Sequence, residues 1–286
     1  MRTPAVLALL LGSLVAASSG AQADGNLADA VNRKVLRVCA TPANLPFSDE
    51  KGEGFENKIA QIVAQELKLP SVEYTWFPQG PGLVRKTLSE KRCDLIMGTI
   101  QADEFTLNTN AYYRTTYALV VKPGSGLENI KSVFDPALKG KKIGVQAGAP
   151  VADHIAKAGL MQDARSYRFI VDTRYDNPPK DMVEDVRKGE TDGAVLWGPL
   201  AGWYAANGGE KLVVVPLLEE VPHLEKLIYR ITMGMRAGET TWKHQINDVI
   251  AKRQGDIDAV LLDYGVPLIG EDNKPFTTPR RGGTTN

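Results

Sequence analysis

The chain has 286 residues, 34 Lys+Arg against 34 Asp+Glu, and a hydrophobic content of 43%. Balanced charge without a polybasic patch argues against nucleic acid or an anionic lipid surface as the main partner. This length and apolar content can fill two modest cores or one large one.

The first residues read as an export leader. Arg2 is followed by an apolar run over 5–17 and by small residues ending in Ala21-Gln22-Ala23, the A-x-A form of a cleavage site. Cleavage of residues 1–23 would start the mature chain at Asp24, with 33 Lys+Arg against 34 Asp+Glu because only Arg2 is lost. The run is too short to span a bilayer, and no later segment reaches about 18 unbroken apolar residues. No Cys follows the small residues, which argues against a lipid anchor. The location this predicts is the periplasm of a Gram-negative cell.

From residue 35 onward, apolar strands alternate with amphipathic helices: a strand over 35–40, a helix over 55–67, strand 72–76, helix 83–90 and strand 94–98. Phe55, Ile59, Ile62, Val63 and Leu67 recur at helical spacing with polar residues between them. Repeated strand-helix-strand predicts a parallel sheet with helices on both faces. A strand over 117–122 then runs into "KPGSG", a break of the kind that separates lobes. The order restarts with strand 142–145, helix 151–158, strand 167–171, helix 181–188, strand 193–196, helix 200–206 and strand 212–216. A last block supplies one strand and two helices that return to the first lobe, and residues after about 275 are expected to fray.

The predicted fold class is therefore α/β, with two open doubly wound sheets in two lobes around a hinged cleft. Lobe 1 takes residues 24–122 plus 222–286, and lobe 2 takes 123–221. In such sheets ligands sit beyond the carboxyl ends of the strands. The loops facing the cleft would be 41–48, 99–106, 146–150 and 197–200.

Two cysteines, Cys39 and Cys93, remain. An even count in an oxidising compartment favours a disulfide. Yet Cys39 lies late in one predicted strand and Cys93 opens another, and parallel strands in register would hold the thiols beyond reach. The sequence leaves the pairing open.

Catalytic signatures are thin. Ser48-Asp49-Glu50-Lys51 fits S-x-x-K without its companion motifs, and Gly52 to Asn57 lacks the third glycine of a dinucleotide fingerprint. His154, His223 and His244 lie far apart and read as surface or capping residues, so no metal or cofactor site is expected. Aromatics gather near predicted loop ends, where core packing is the default role. Trp197 differs, because it follows a strand and precedes Gly-Pro, and it is expected to line the cleft.

The blocks "GFENKIAQIVAQEL", "CDLIMGTIQADE", "AYYRTTYALVVKPG", "LKGKKIGVQAGAP" and "VRKGETDGAVLWGP" resemble type II periplasmic solute-binding proteins of the amino-acid-binding kind. The resemblance covers nearly all of the mature chain and implies two lobes around a ligand cleft. Two departures stand out. The family's ligand-gripping arginine is replaced by Glu104, and Trp197 occupies the place of the aspartate that holds the ligand amine. A carboxylate where the arginine belongs would repel an amino-acid carboxylate.

"LRVCATPANLPFS", "GEGFENKIA", "YTWFPQG", "TLSEKRCDLIMG" and "YYRTTYALV" resemble a narrower group, the J proteins encoded beside pyrroloquinoline-quinone (PQQ) methanol dehydrogenases. "CATPANLPFSDE" and "PQGPGLVR" lean to the lanthanide type over the calcium type. The resemblance implies a non-catalytic monomeric accessory with no cofactor of its own. Its implied partner is an apo or maturing dehydrogenase, with the cytochrome of that system as a second candidate. Asn44, Phe47, Thr99, Tyr112, Tyr113 and Trp197 would then line the cleft against an apolar segment, with Lys58, Gln101, Glu104 and Gln146 at a polar rim. The rival reading is a transporter's solute-binding protein for an uncharged or cationic small molecule, held by Glu104 and by cation–π contact with Trp197.

Overall fold

A computed structural model of the protein describes residues 30–80 and 82–282. The leader and the start at Asp24 lie outside the described residues. In chain order the first part contains β1 (Leu36–Ala40), the short pair β2 (Ala43–Asn44) and β3 (Ser48–Asp49), helix α1 (Phe55–Glu66), β4 (Val72–Trp76), a π-helical segment over Val84–Leu88, β5 (Leu95–Ile100), β6 (Leu107–Asn108) and β7 (Tyr113–Val121). The middle part contains β8 (Ile143–Gln146), α2 (Pro150–Lys157), β9 (Arg165–Tyr167), α3 (Pro178–Lys188), β10 (Gly193–Trp197), α4 (Gly198–Ala206) and β11 (Val213–Pro216). The last part contains β12 (Ile228–Met235), α5 (Thr240–Asp263), β13 (Leu268–Ile269) and β14 (Pro275–Phe276).

Local chemistry explains the elements. Helix α1 buries Phe55, Ile59 and Val63, and the Asn57 side chain accepts from the Gly54 amide at 3.2 Å to close its first turn. Helix α3 starts at Asn177, whose side chain accepts from the Lys180 amide, runs through Pro178 at its first position, and ends at Gly189 with φ 75°. The two helices predicted at the end of the chain are one, α5, bent at Arg253, where φ is −106° and ψ 16°.

The fold class is the predicted α/β architecture, with its two sheets continuous through one strand pair. Among the described residues the main strand order is β4-β1-β5-β12-β7-β10-β8-β9, with β11 on β7 and β6 on β12. The first core gathers Leu36, Val38, Phe55, Ile59, Tyr112, Tyr113, Met233, Trp242 and Ile246. The second sheet is buried on both faces, and β7 shows it by alternation. Leu119 and Val121 pack with Ile143 and Ile155 on one side, while Ala118 and Val120 pack with Met182, Val186 and Leu196 on the other.

Strand β7 serves both sheets. Its first half pairs with β12, Tyr113 opposite Ile231 and Thr116 opposite Ile228. Its second half pairs with β10, Tyr117 opposite Trp197 and Val121 opposite Gly193. Ile231 also faces Ile100, at the carboxyl end of β5. The carboxyl ends of β5 and β10 therefore both point at the middle of β7, and the parallel strands β1, β8 and β9 carry their loops to the same place.

Cys39 and Cys93 form a disulfide with 5.5 Å between their Cα atoms. The opposite-ends argument fails because Cys93 does not open a strand. Strand β5 begins two residues later, and the segment before it crosses the face of β1 to reach β4, where Thr75 Oγ1 donates to the Arg92 carbonyl at 2.8 Å. Next to the bridge, buried Asp94 accepts from Arg37 Nε at 2.8 Å and from Arg236 Nη2 at 2.7 Å, which ties β1 to the end of β12. This hydrogen bond to Asp94 holds the Arg37 guanidinium pKa above its usual value.

The tail is pinned instead of frayed as far as it is described. Strand β14 pairs with β13, and the Arg280 guanidinium stacks 5.2 Å from the Phe276 ring and reaches Asp258 Oδ1 at 2.7 Å.

Helix α4 joins the lobes. A Cβ on Gly202 would lie 1.8 Å from the Gly265 carbonyl oxygen, so the two backbones touch directly. Trp203 stacks on Tyr264 at 5.3 Å, and the Tyr204 hydroxyl donates to the Leu45 carbonyl at 3.3 Å. Gly202→Ala should push α4 off Gly265 and lower the unfolding free energy by about 1–3 kcal/mol, the usual cost of overpacking. Urea unfolding monitored by tryptophan fluorescence would check this, and an unchanged midpoint would contradict the contact.

Candidate functional site

The convergence of strand ends on the middle of β7 defines the candidate site. On its floor, Trp197 packs edge-on against Tyr117 at 5.3 Å and Tyr229 at 5.4 Å, and both Trp197 and Tyr229 border the first and second cores. The Tyr229 hydroxyl donates to Glu225 Oε1 at 2.7 Å. Burial raises the pKa of Tyr117, so its hydroxyl stays protonated across the ordinary pH range.

Above the end of β5 lies Glu56, the second residue of α1. As a residue it keeps partial exposure, yet its carboxyl oxygen would be only 2.5 Å from a Cβ on Gly98, and it acts electrostatically on Tyr74, Tyr112 and Tyr113. Gly98 has φ +71° and donates its amide to the Tyr112 hydroxyl at 3.2 Å. Burial pushes the Glu56 carboxyl up to about 8. At neutral pH it is therefore mostly protonated and can donate a hydrogen bond.

The sequence-predicted residues divide into three groups. Gln101, Glu104 and Lys58 are exposed, and Asn44 and Phe47 are half-buried in the loop after β1, with Phe47 packed on Phe55 at 5.2 Å. Thr99 and Gln146 are buried. Thr99 Oγ1 bonds to the Thr232 carbonyl at 3.0 Å, and Gln146 Nε2 donates to the Arg168 carbonyl at 3.1 Å, so Gln146 tethers the loop after β9 instead of forming a rim. Tyr112 and Tyr113 are not surface anchors. They are 0% and 2% exposed in the first core, Tyr113 as the first residue of β7 and Tyr112 directly before it. Trp197 reaches the crossing as expected of a residue at a strand end, but as a half-buried strut between the cores.

His154 is likewise not a surface residue. It is buried, with Nε2 2.8 Å from the Glu225 carbonyl oxygen. Among the described residues no three His, Cys, Asp or Glu side chains gather as a metal site, and no helix is long and apolar enough to cross a membrane. Two shallow recesses of about 350 and 370 Å³ lie on the outer surface of the second lobe, away from the crossing.

Sequence reasoning missed Glu56 and the apolar loop after β9. The expected strand over 167–171 ends at Tyr167, so Phe169 and Ile170 are displayed in a loop instead of a sheet. Glu56 was legible in part, since "GFE" opens a helix aimed at a strand end. Nothing in the sequence says that three tyrosines lie within its electrostatic reach.

Comparison with known proteins places the chain among relatives. A family model described as bacterial extracellular solute-binding proteins, family 3, matches residues 36–264. The crystal structure of the periplasmic binding protein XoxJ from Methylobacterium extorquens AM1 is 42% identical, covers 82% of this chain and 100% of its own, and superposes with a TM-score of 0.70. The crystal structure of MxaJ from Methlophaga aminisulfidivorans MPT is 25% identical, with the same coverage and a TM-score of 0.71. Protein MoxJ of Methylorubrum extorquens is 29% identical over 252 residues, 83% of each chain.

The site yields two predictions. Glu56 is protonated more readily in the folded state than its ordinary value allows in the unfolded chain, so this group makes stability fall as pH rises from about 4.5 towards 8. Glu56→Gln should flatten that slope and raise stability at pH 8 by on the order of a few kcal/mol; denaturation series at pH 5 and pH 8 measure it. Trp197→Ala should lower the melting temperature and cost about 3 kcal/mol, as loss of a large packed aromatic does, which calorimetry would read directly.

Proposed function

The chain belongs to the bacterial extracellular solute-binding proteins of family 3 and is XoxJ- and MoxJ-like within them, and on that premise we propose a non-catalytic periplasmic accessory that assists maturation of a PQQ-dependent methanol dehydrogenase, of the lanthanide type. The observation that carries this reading is the crossing itself. Where an amino-acid binder needs charged clamps, this chain packs Tyr117, Trp197 and Tyr229 edge to face, and Glu104 stays exposed in the loop beyond β5. An amino acid held there would leave its carboxylate and ammonium unpaired, at a cost of at least a few kcal/mol.

In this role the cleft receives part of the apo or maturing dehydrogenase. Preferential binding to the cofactor-free form stabilises a loading-competent state, and closure of the loaded enzyme releases it. The dehydrogenase's cytochrome is a second candidate partner. A transporter's solute-binding protein for an uncharged or cationic molecule is the reading favoured by the family description alone, and Glu56 is the carboxyl that such a guest would meet.

The test is reconstitution. Methanol dehydrogenase stripped of its quinone is mixed with PQQ and a lanthanide, with and without the mature protein. The expected outcome is several-fold faster recovery of methanol-oxidising activity with the protein present, and no calorimetric binding of any standard amino acid. Unchanged recovery, or micromolar binding of an amino acid, would sink the accessory role.

A further inference from the structure

The largest exposed apolar side chains include two sets on loops that follow strand ends at the crossing. Loop 101–106 in the first lobe and its strand end carry Phe105, 73% exposed, and Ile100, 49% exposed. Loop 168–177 in the second lobe carries Ile170 and Tyr175, each 82% exposed, and Phe169, 43% exposed. Isolated exposed apolar residues are ordinary, but clustered sets that follow the carboxyl ends of strands in both sheets are the pattern of an interaction surface.

Neither set is presented by a slack loop. In the first, Asp103 Oδ1 accepts from the Phe105 amide at 2.8 Å and Ala102 adopts φ +68°, a left-handed conformation that L-residues avoid. In the second, the Asp172 carbonyl accepts from the Tyr175 and Asp176 amides at 3.0 and 3.1 Å, Gln146 holds the Arg168 carbonyl, and Asn177 Nδ2 donates to the Tyr204 hydroxyl at 2.6 Å. In the loop so held, Ile170 and Tyr175 stand in solvent.

Charge distinguishes the two sides. In loop 168–177 Arg168 pairs with Asp176 and Arg174 with Asp172, so its charges cancel internally. In loops 41–54 and 101–106 Asp49 is buried and accepts from the Glu53 amide, which leaves Glu50, Glu53, Asp103 and Glu104 towards solvent against Lys51 and, in the first turns of α1, Lys58. Glu104 makes no ion pair among the described residues. The mouth is thus apolar on both lips and acidic on the first-lobe lip.

We infer that these two loop tips form a docking surface for an apolar protein segment flanked by basic residues, with its aromatic or aliphatic side chains seated between Phe105 on one lip and Ile170 and Tyr175 on the other. Resting on the accessory reading above, the inference names the part of a dehydrogenase that would be held: an apolar stretch with a Lys- or Arg-rich end, exposed before the enzyme closes. The acidic lip sets its orientation and the apolar tips supply the burial.

The mature protein is titrated, by fluorescence anisotropy, with two labelled peptides sharing one Leu/Phe core, one flanked by arginines and the other by glutamates. Binding of the arginine-flanked peptide at least about tenfold tighter is expected. Ile170→Ser with Tyr175→Ser should weaken it at least about tenfold while leaving the melting temperature unchanged, since both side chains are already in solvent. Asp103→Asn with Glu104→Gln should erase the preference between the flanks. Equal binding of both peptides, indifference to the tip substitutions, binding instead to phosphatidylcholine–phosphatidylglycerol vesicles, or tip-dependent self-association in sedimentation would each overturn the inference. Quinone-free methanol dehydrogenase is then added as competitor. Displacement of the peptide supports both readings, whereas tip-dependent peptide binding that the dehydrogenase cannot displace keeps the surface and removes the proposed partner.

Discussion

Nine residues of backbone, Tyr113 to Val121, are hydrogen-bonded into both sheets, and the rest of the molecule is arranged by that fact. A strand that pairs with β12 along one half and with β10 and β11 along the other fixes the direction of each neighbour. The carboxyl ends of the parallel strands in both lobes are thereby aimed at a common point. Threonines reinforce the junction: Thr116 Oγ1 donates to the Leu217 carbonyl at 2.7 Å and Thr115 Oγ1 to the Pro267 carbonyl at 2.9 Å. Buried hydroxyls satisfied by backbone carbonyls allow the chain to enter and leave the crossing without orphaned polar groups.

What fills this point determines its chemistry. Two tyrosines and a tryptophan packed edge to face give a floor rich in apolar area, with few polar groups directed outward. Glu225 accepts from the Tyr229 hydroxyl at this floor, whereas Glu56, packed over Gly98 beside β5, makes no ion pair among the described residues and is pushed up by burial. Glu56 therefore stays neutral well above the ordinary carboxylate range and behaves as a hydrogen-bond donor before it behaves as an anion. Further acidic side chains, Asp103 and Glu104 among them, lie beyond the end of β5. Such a surface suits the burial of an apolar segment better than the capture of a zwitterion.

Much of this was legible in the sequence because it rests on periodicity. Helix α1 and strands β1, β4 and β8 fall within a residue or two of where apolar spacing predicts them, since their inner faces must match the core. What spacing could not deliver depended on the path of the chain between elements. The Cys39–Cys93 bridge turns on a segment that crosses β1 obliquely before β5 begins, and strand registers alone carry no trace of it. Strand β7 starts at Tyr113 instead of the expected 117, and Tyr113 with the Tyr112 before it lies in the first core instead of a cleft-facing loop. The β9 end at Tyr167 turned Phe169 and Ile170 outward, although an aromatic followed by a β-branched residue reads as strand. In each case a boundary shift of a few residues changed a side chain's surroundings completely.

The backbone contact between Gly202 and Gly265 limits how the two lobes can move. With no side chain between them there is no compressible layer along that edge, and the stacked Trp203 and Tyr264 rings brace the same side. Relative motion that keeps this seam intact is a swing about it, like a door on its jamb, so displacement grows with distance from α4. Trp197, directly before α4, sits beside this seam, and the loop after β9 is tied to α4 through Asn177 and Tyr204. A swing of that kind would leave the aromatic floor beside the seam in place, so a guest could be admitted by widening the entrance without disturbing the packing beneath it.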